Sequence, residues 1–236
     1  MKKVVYVEGV TELVFVYNLI CTHYVYDGNL FQIHNVNLDP IAGLEIPADF
    51  GQPDAPDYYQ LVCAGGDGSV ISAIKERYRG HIDAGFEIVV GLKDVYGRPY
   101  TSLAGHVYDS EKVEKLIGIQ KSQLSAEKQA SLCFAIMEVE AWMLGMKIFL
   151  EREYSNLSLP EGIDPETTYV HPYEDLHTAF NSIGVKFEKH WGDILAVMNK
   201  MTKEDFESLY ASPDCASFNV FFELVLGTPQ DCCYVA

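Results

Sequence analysis

Val4-Val5-Tyr6-Val7-Glu8-Gly9-Val10-Thr11-Glu12 is the stretch on which the fold turns. Four apolar residues in a row, three of them valine, suit a short strand buried on both faces of a parallel sheet. The glutamate that follows would interrupt the apolar region of a secretory leader, so a first strand and a cytoplasmic protein are the expectation. Gly9 lets the backbone turn sharply and leaves room beside Glu8. Glu12–His23 then carries Leu13, Phe15, Val16, Leu19 and Ile20 at near-helical spacing. A strand, a glycine turn and a helix in that order open an α/β unit.

Outward from this opening, Asn29–Leu38 alternates and is expected to form a strand. Asp39–Asp57 holds four prolines, two glycines and five acids, the composition of a loop. Tyr58–Ala64 reads as a strand, Gly65-Gly66-Asp67-Gly68 as a tight turn and Val70–Arg79 as an amphipathic helix. Phe86–Leu92 is the most strand-like segment of the chain, and Asp94–Gly105 a loop rich in Gly, Pro and Tyr. Ser110–Ala130 holds polar helix, Ser131–Met137 a buried strand and Glu138–Glu151 a helix with Ala141, Trp142, Leu144, Ile148 and Phe149 on its apolar side. After a loop over Tyr154–His171 the pattern is helical: Pro172–Ser182, Trp191–Met201, Lys203–Ala211 and Ser217–Leu226. Strands alternating with helices predict a parallel sheet covered on both faces. The expected division is an α/β domain over 1–153 and a helical subdomain or cap over 154–236.

The chain's 236 residues include 34 acidic and 17 basic side chains, a formal charge of −17, which excludes a basic coat for nucleic acid. With 48% hydrophobic and 12% aromatic residues it can bury a core, unlike an acidic disordered tail. No apolar run reaches the roughly 18 residues of a membrane span, so no membrane role is expected. Val4 to Ile74 contains no Lys or Arg, and neither does Glu204 to Ala236. The positive charge lies between them, with a central band at Lys75, Arg77, Arg79, Lys93, Arg98, Lys112, Lys115, Lys121 and Lys128. Acidity serves solubility, but it also suits acids that converge on a divalent cation while the central basic band meets an anionic substrate. A bound cation inverts the local sign.

In an open α/β sheet, ligands bind beyond the carboxyl ends of the strands. Glu8, Asp94 and the pair Glu138 and Glu140 fall at three such ends, with Glu12 one turn into the first helix. Each has a purely structural reading as well. Glu8, Glu12 and Glu138 could complement a helix N-terminus, and Asp94 could stabilise the turn after it. Two residues apart in a helix means about 200° of rotation, so Glu138 and Glu140 share a face only at an extended junction. Six cysteines and seven histidines show no ligand spacing, and oxygen-only ligands favour Mg²⁺ or Mn²⁺ over zinc. Gly65–Gly68 looks like a phosphate-cradling loop, but no Gly-Lys-Ser/Thr follows, and a plain strand-to-helix turn is the expectation.

The opening stretch resembles the start of a TOPRIM domain, the Rossmann-like fold of topoisomerases, primases and overcoming-lysogenization-defect nucleases. Gly91-Leu92-Lys93-Asp94-Val95-Tyr96-Gly97-Arg98-Pro99 and Met137-Glu138-Val139-Glu140-Ala141-Trp142-Met143-Leu144 are similar to the second and third blocks of a TOPRIM-clan family, domain of unknown function 4276. That family's blocks run roughly Asp-Tyr-Tyr-x-Leu-Pro and His-Glu-Phe-Glu-Ala-Leu-Leu, and the likeness covers most of residues 1–150 in order. It implies that Glu8 is a metal ligand or general acid/base, Asp94 the first acid of an Asp-x-Asp motif, Glu12 a second acid after the glycine turn, and Glu138 with Glu140 the paired glutamates. Two positions depart from the pattern. Tyr96 stands where the second acid of Asp-x-Asp would be, and Met137 where the related family has histidine.

The resemblance implies a metal-dependent nuclease in which Glu8, Asp94 and Glu140, helped by Glu12 and Glu138, hold one or two Mg²⁺ or Mn²⁺. Gly9 leaves space for the ligand, and Lys93 and Arg98 contact phosphate. It also implies an ATPase partner and a place in phage defence, since nucleases of the overcoming-lysogenization-defect kind work with ATPases and this chain has no Walker motif. Binding of nucleic acid is expected to be weak and metal-gated, and apolar helices within 172–226 predict self-association as a homodimer. Two other readings stay open: a TOPRIM-like subunit that no longer cleaves and serves a partner ATPase, and a phosphoryl-transfer enzyme acting on a nucleotide.

Overall fold

The structure, a computed structural model, describes residues 1–24, 45–50, 58–66, 68–96, 109–159, 164–167 and 171–227, with 45–50 and 58 described by their backbone alone. Strands β1 (Lys2–Val7), β2 (Glu45–Phe50), β3 (Tyr58–Cys63), β4 (Ile88–Val95) and β5 (Ala130–Ile136) form one sheet in the order β2-β3-β1-β4-β5. All neighbours are parallel except β2, which runs antiparallel to β3. The α/β expectation holds. Helix α1 (Val10–Tyr24) follows β1, α2 (Ser69–Asp83) follows β3 and α3 (Ser110–Ser122) precedes β5. Then come α4 (Val139–Gly145), α5 (Lys147–Glu153), α6 (Pro172–Ser182), α7 (Trp191–Met198), α8 (Lys203–Ala211) and α9 (Ala216–Leu226).

Side chains of β1 alternate between two hydrophobic cores, one on each face of the sheet, as the period of two along a strand requires. Val4 and Tyr6 join Val70 and Ile74 of α2, Val113 of α3, and Leu132 and Phe134 of β5. Val5 and Val7 face the larger core, built from α1, α4 and the helices α5–α9. Thr11 through Cys21 of α1 is buried without a break, which explains a helix that is apolar almost all round. Trp142 of α4 lies at the centre, its ring 5.6 Å from Phe15, 5.3 Å from Phe218 and 5.7 Å from Phe221. The apolar faces of α6–α9, the basis for the expected self-association, are thus covered from within. Among the described residues there, Val220 is the exposed large apolar exception.

Several boundaries differ from the sequence reading, each for a physical reason. Part of the expected loop Asp39–Asp57 is β2. Pro47 has no amide proton to donate, and it sits on an edge strand whose register slips between Ile46 and Phe50. β4 runs on to Val95, because Asp94 and Val95 pair with Ala135 and Ile136 once β5 lies alongside. The expected helix Glu138–Glu151 is broken into α4 and α5 at Met146. Gly145 there has no room for a Cβ, which would lie 2.5 Å from Cys215 Sγ, and Ile148 points outward rather than into the apolar side. Asn29–Leu38, residue 67 of the glycine turn, the loop beyond Tyr96 with Arg98, and Cys232-Cys233 lie outside the described residues. No described helix is long and apolar enough to cross a membrane.

Candidate active site

β1 is flanked by β3 on one side and β4 on the other, so the connections change direction between β1 and β4. In open α/β sheets the ligand crevice lies at that point, beyond the strands' carboxyl ends. Glu8 follows β1 directly, Asp94 is the penultimate residue of β4, and Glu138 with Glu140 follows β5. Glu12 enters from the first turn of α1. Glu8, Glu12, Glu138 and Glu140 are all buried. Burial, then the charges of Glu12, Glu140, Glu8 and Glu138, hold the Asp94 carboxyl well above the usual carboxylate range, so the five acids share one electrostatic site.

The backbone between β5 and α4 brings the last pair together. Met137 takes a positive φ of 69°, a conformation that costs a non-glycine residue on the order of 1 kcal/mol. Glu138 is then extended (φ −153°, ψ 168°) as the residue before α4, and Glu140 lies inside the first turn. The 200° conflict of a continuous helix is therefore avoided. Glu8 is braced by the glycine turn after β3. Gly65 and Gly66 both have positive φ, and the Gly66 amide donates to Glu8 O at 2.9 Å, so that amide serves the strand end rather than a phosphate.

The five carboxylates differ in what they bond. Glu8 Oε1 is ion-paired with the buried Lys93 ammonium. Lys93, expected to reach a phosphate, is instead turned inward because Glu8 lies beside it where β1 and β4 pair. Glu12 Oε2 accepts the Gly9 amide at 2.8 Å, serving the start of α1; a Cβ on Gly9 would lie 3.1 Å from that oxygen. Glu138 Oε1 accepts from Lys189 Nζ at 3.2 Å. In contrast, Asp94 Oδ1, Glu138 Oε2 and both Oε atoms of Glu140 are buried and meet no hydrogen-bond partner. Burial first, then Glu138, pushes the Glu140 carboxyl up to about 8 against the pull of Lys189. Glu138 is also raised by burial, with Lys189 opposing.

Lys189 is the residue that sequence reasoning missed. It lies in the turn between α6 and α7, its backbone amide donates to Tyr173 Oη at 3.2 Å, and its ammonium sits 4.5 Å from the centre of the Tyr173 ring. Burial alone would lower its pKa, but Glu140, Glu138 and Glu12 together raise it, so the half-exposed ammonium stays charged. Nothing local in Phe187-Glu188-Lys189-His190 announces this position; only the packing of α6 on α4 creates it. Tyr96 meets His171, which precedes α6, at 2.5 Å from Nδ1. Burial and Glu138 raise the Tyr96 hydroxyl to about 12, so it stays protonated on the rim.

Buried carboxylate oxygens without partners fit a hard divalent cation, which takes oxygen ligands and would supply the missing interaction. Among the described residues, however, no three acid, histidine or cysteine side chains are already closed into a metal-binding cluster. Side-chain rotation would have to complete one. Among solved structures the chain is similar to the C-terminal region of the Burkholderia pseudomallei OLD protein, with 14% identity and a TM-score of 0.38 over 89% of this chain and 95% of that one. No protein-family model matches, the domain of unknown function 4276 included. No curated protein matches significantly either.

Proposed function

We propose that the chain is a metal-dependent phosphodiester hydrolase acting on nucleic acid, the activity its TOPRIM-like blocks imply. The observation that carries this reading is the set of four buried, unpartnered oxygens on Asp94, Glu138 and Glu140 at the point where the sheet connections change direction. An uncompensated buried polar group costs on the order of 1–3 kcal/mol, and a fold keeps several together where a ligand answers them. Asp94, Glu138 and Glu140 would hold Mg²⁺ or Mn²⁺, which when bound polarises a phosphoryl oxygen and lowers the pKa of a water. Lys189, with its ammonium half exposed beside Glu138, meets a phosphate oxygen at the mouth. Carboxylates outnumber ammonium groups in the crevice, so a polyanion is repelled until the cation enters and binding is metal-gated. An ATPase partner and a role in phage defence extend the same proposal.

Purified chain, alone and with a candidate ATPase, is expected to cut DNA or RNA in Mn²⁺ or Mg²⁺, and Glu140→Gln to lower the rate by about 100-fold or more. No metal-dependent cleavage of any polynucleotide under either condition would overturn the proposal. It would favour the rival reading of a subunit that no longer cleaves, for which the closure of Glu8 by Lys93 and the presence of Tyr96 in place of an acid both speak.

A further inference from the structure

We infer that Ser217, aimed by Glu166, is a positioning residue for the crevice, holding the β5–α4 turn that carries Glu138 and Glu140. The role rests on the metal-dependent reading above and deepens it. Ser217 stands in the first turn of α9, and its hydroxyl meets both ends of the β5–α4 turn. Oγ accepts the amide of Ile136, the last residue of β5, at 3.3 Å. It also accepts Trp142 Nε1 of α4 at 2.9 Å. Met137 to Ala141 lie between these two anchors, and both glutamates are among them.

A serine hydroxyl has one proton to give and two lone pairs to accept with. Here the proton goes to Glu166 Oε1 at 2.5 Å, which leaves both lone pairs for Ile136 and Trp142. Glu166 is itself buried and fixed. It accepts the Ser217 amide at 3.1 Å and Trp142 Nε1 at 3.2 Å, and its own amide donates to Asp164 Oδ1 at 2.9 Å. The hydroxyl therefore cannot rotate without losing a bond. Met137, between the anchors, keeps its positive φ only where the surroundings over-determine it. Lys189 reaches Glu138, but neither carboxylate oxygen of Glu140 meets a partner from another residue. No bond at its tip fixes Glu140, so its place follows from the backbone that Ser217 anchors.

Mn²⁺ calorimetry and amide hydrogen exchange on the full chain test this together. Ser217→Ala should weaken Mn²⁺ binding about tenfold, the loss expected when a group behind the ligands is removed, and speed exchange at Met137–Ala141 by a similar factor. Ser217→Thr keeps the donor and both lone pairs and should stay within about threefold of wild type, with the weakly bonding Ser217→Cys in between. Arg152→Ala is the control. It unpairs the buried Asp205, outside the turn, and should lose stability while Mn²⁺ affinity changes less than about twofold. Wild-type affinity and exchange in Ser217→Ala, or an equal loss of affinity in Arg152→Ala, would overturn the positioning role and leave the metal-dependent function standing. A wild-type chain that binds no Mn²⁺ at millimolar concentration would overturn both. Where Ser217→Ala does not fold, equal affinities in Ser217→Thr and Ser217→Cys would overturn the role instead.

Discussion

Buried carboxylates occur in two regions of this molecule, and their surroundings differ. In the helical region, Glu166 accepts from Trp142 Nε1 at 3.2 Å, from the Ser217 amide at 3.1 Å and from Ser217 Oγ at 2.5 Å. Asp205, also buried, accepts from Arg152 Nη1 at 2.6 Å and Nη2 at 2.8 Å, and from the Thr202 amide at 2.7 Å. At the sheet's carboxyl end, Glu140 is buried too, and neither of its carboxylate oxygens meets a partner from another residue. Burial raises the carboxyl of Glu166 as it does that of Glu140, so a displaced pKa alone would mark both. Glu127 and Asn219 each hold one buried partnerless atom elsewhere, so what separates the candidate site is four such oxygens on three acids beyond the sheet's carboxyl end.

The two regions should respond oppositely to losing a charge. The largest effect is expected for Arg152→Ala, which leaves the buried Asp205 carboxylate short of its cation and should cost about 3 kcal/mol in urea unfolding. Glu166→Ala strips the acceptor from the Ser217 amide and should cost about 2 kcal/mol in the same assay. Glu140→Gln should go the other way. It removes a buried charge without taking an acceptor from any other residue, and metal-free stability at pH 8 should rise by about 1 kcal/mol. Wild type that proved more stable than the variant at pH 8 would erase the distinction between the regions.

The same contrast has a signature in pH. The Glu140 carboxyl is raised from an ordinary value near 4.3 in the unfolded chain to about 8 in the folded one, so folding takes up a proton between those values. Its contribution to stability is complete below about pH 4.3 and is lost as pH rises through about 8. Metal-free wild type should therefore weaken between pH 5 and 8 more steeply than Glu140→Gln, as urea midpoints at several pH values would show. The smallest effect is expected at Gly9→Ala. The added Cβ crowds Glu12 Oε2, loosens a helix-start hydrogen bond and should cost about 0.5–1 kcal/mol, with Mn²⁺ affinity within twofold.

Much of this was legible in advance because it is local. Val4–Val7 is an unbroken apolar run, and Lys203–Ala211 and Pro172–Ser182 carry helical periodicity and their own start signals: Thr202 with Asp205 for one and Pro172 for the other. β2 was not legible, since prolines and acids mask a short irregular edge strand that exists only by pairing with β3. Nor was the break at Met146, which follows from Cys215 and Leu209 pressing on Gly145 from a distant part of the chain.

The sequence by itself determined that acids stand at the ends of three strands, because strand, turn and acid are neighbours along the chain. Which of those acids keep open lone pairs was decided by the tertiary structure. Pairing of β1 with β4 brings Lys93 to Glu8, the start of α1 turns Glu12 onto Gly9, and α6 carries Lys189 to Glu138. Hydrogen-bond satisfaction depends on positions within about 3 Å, and only packing brings residues 85 or 51 places apart in sequence to such distances.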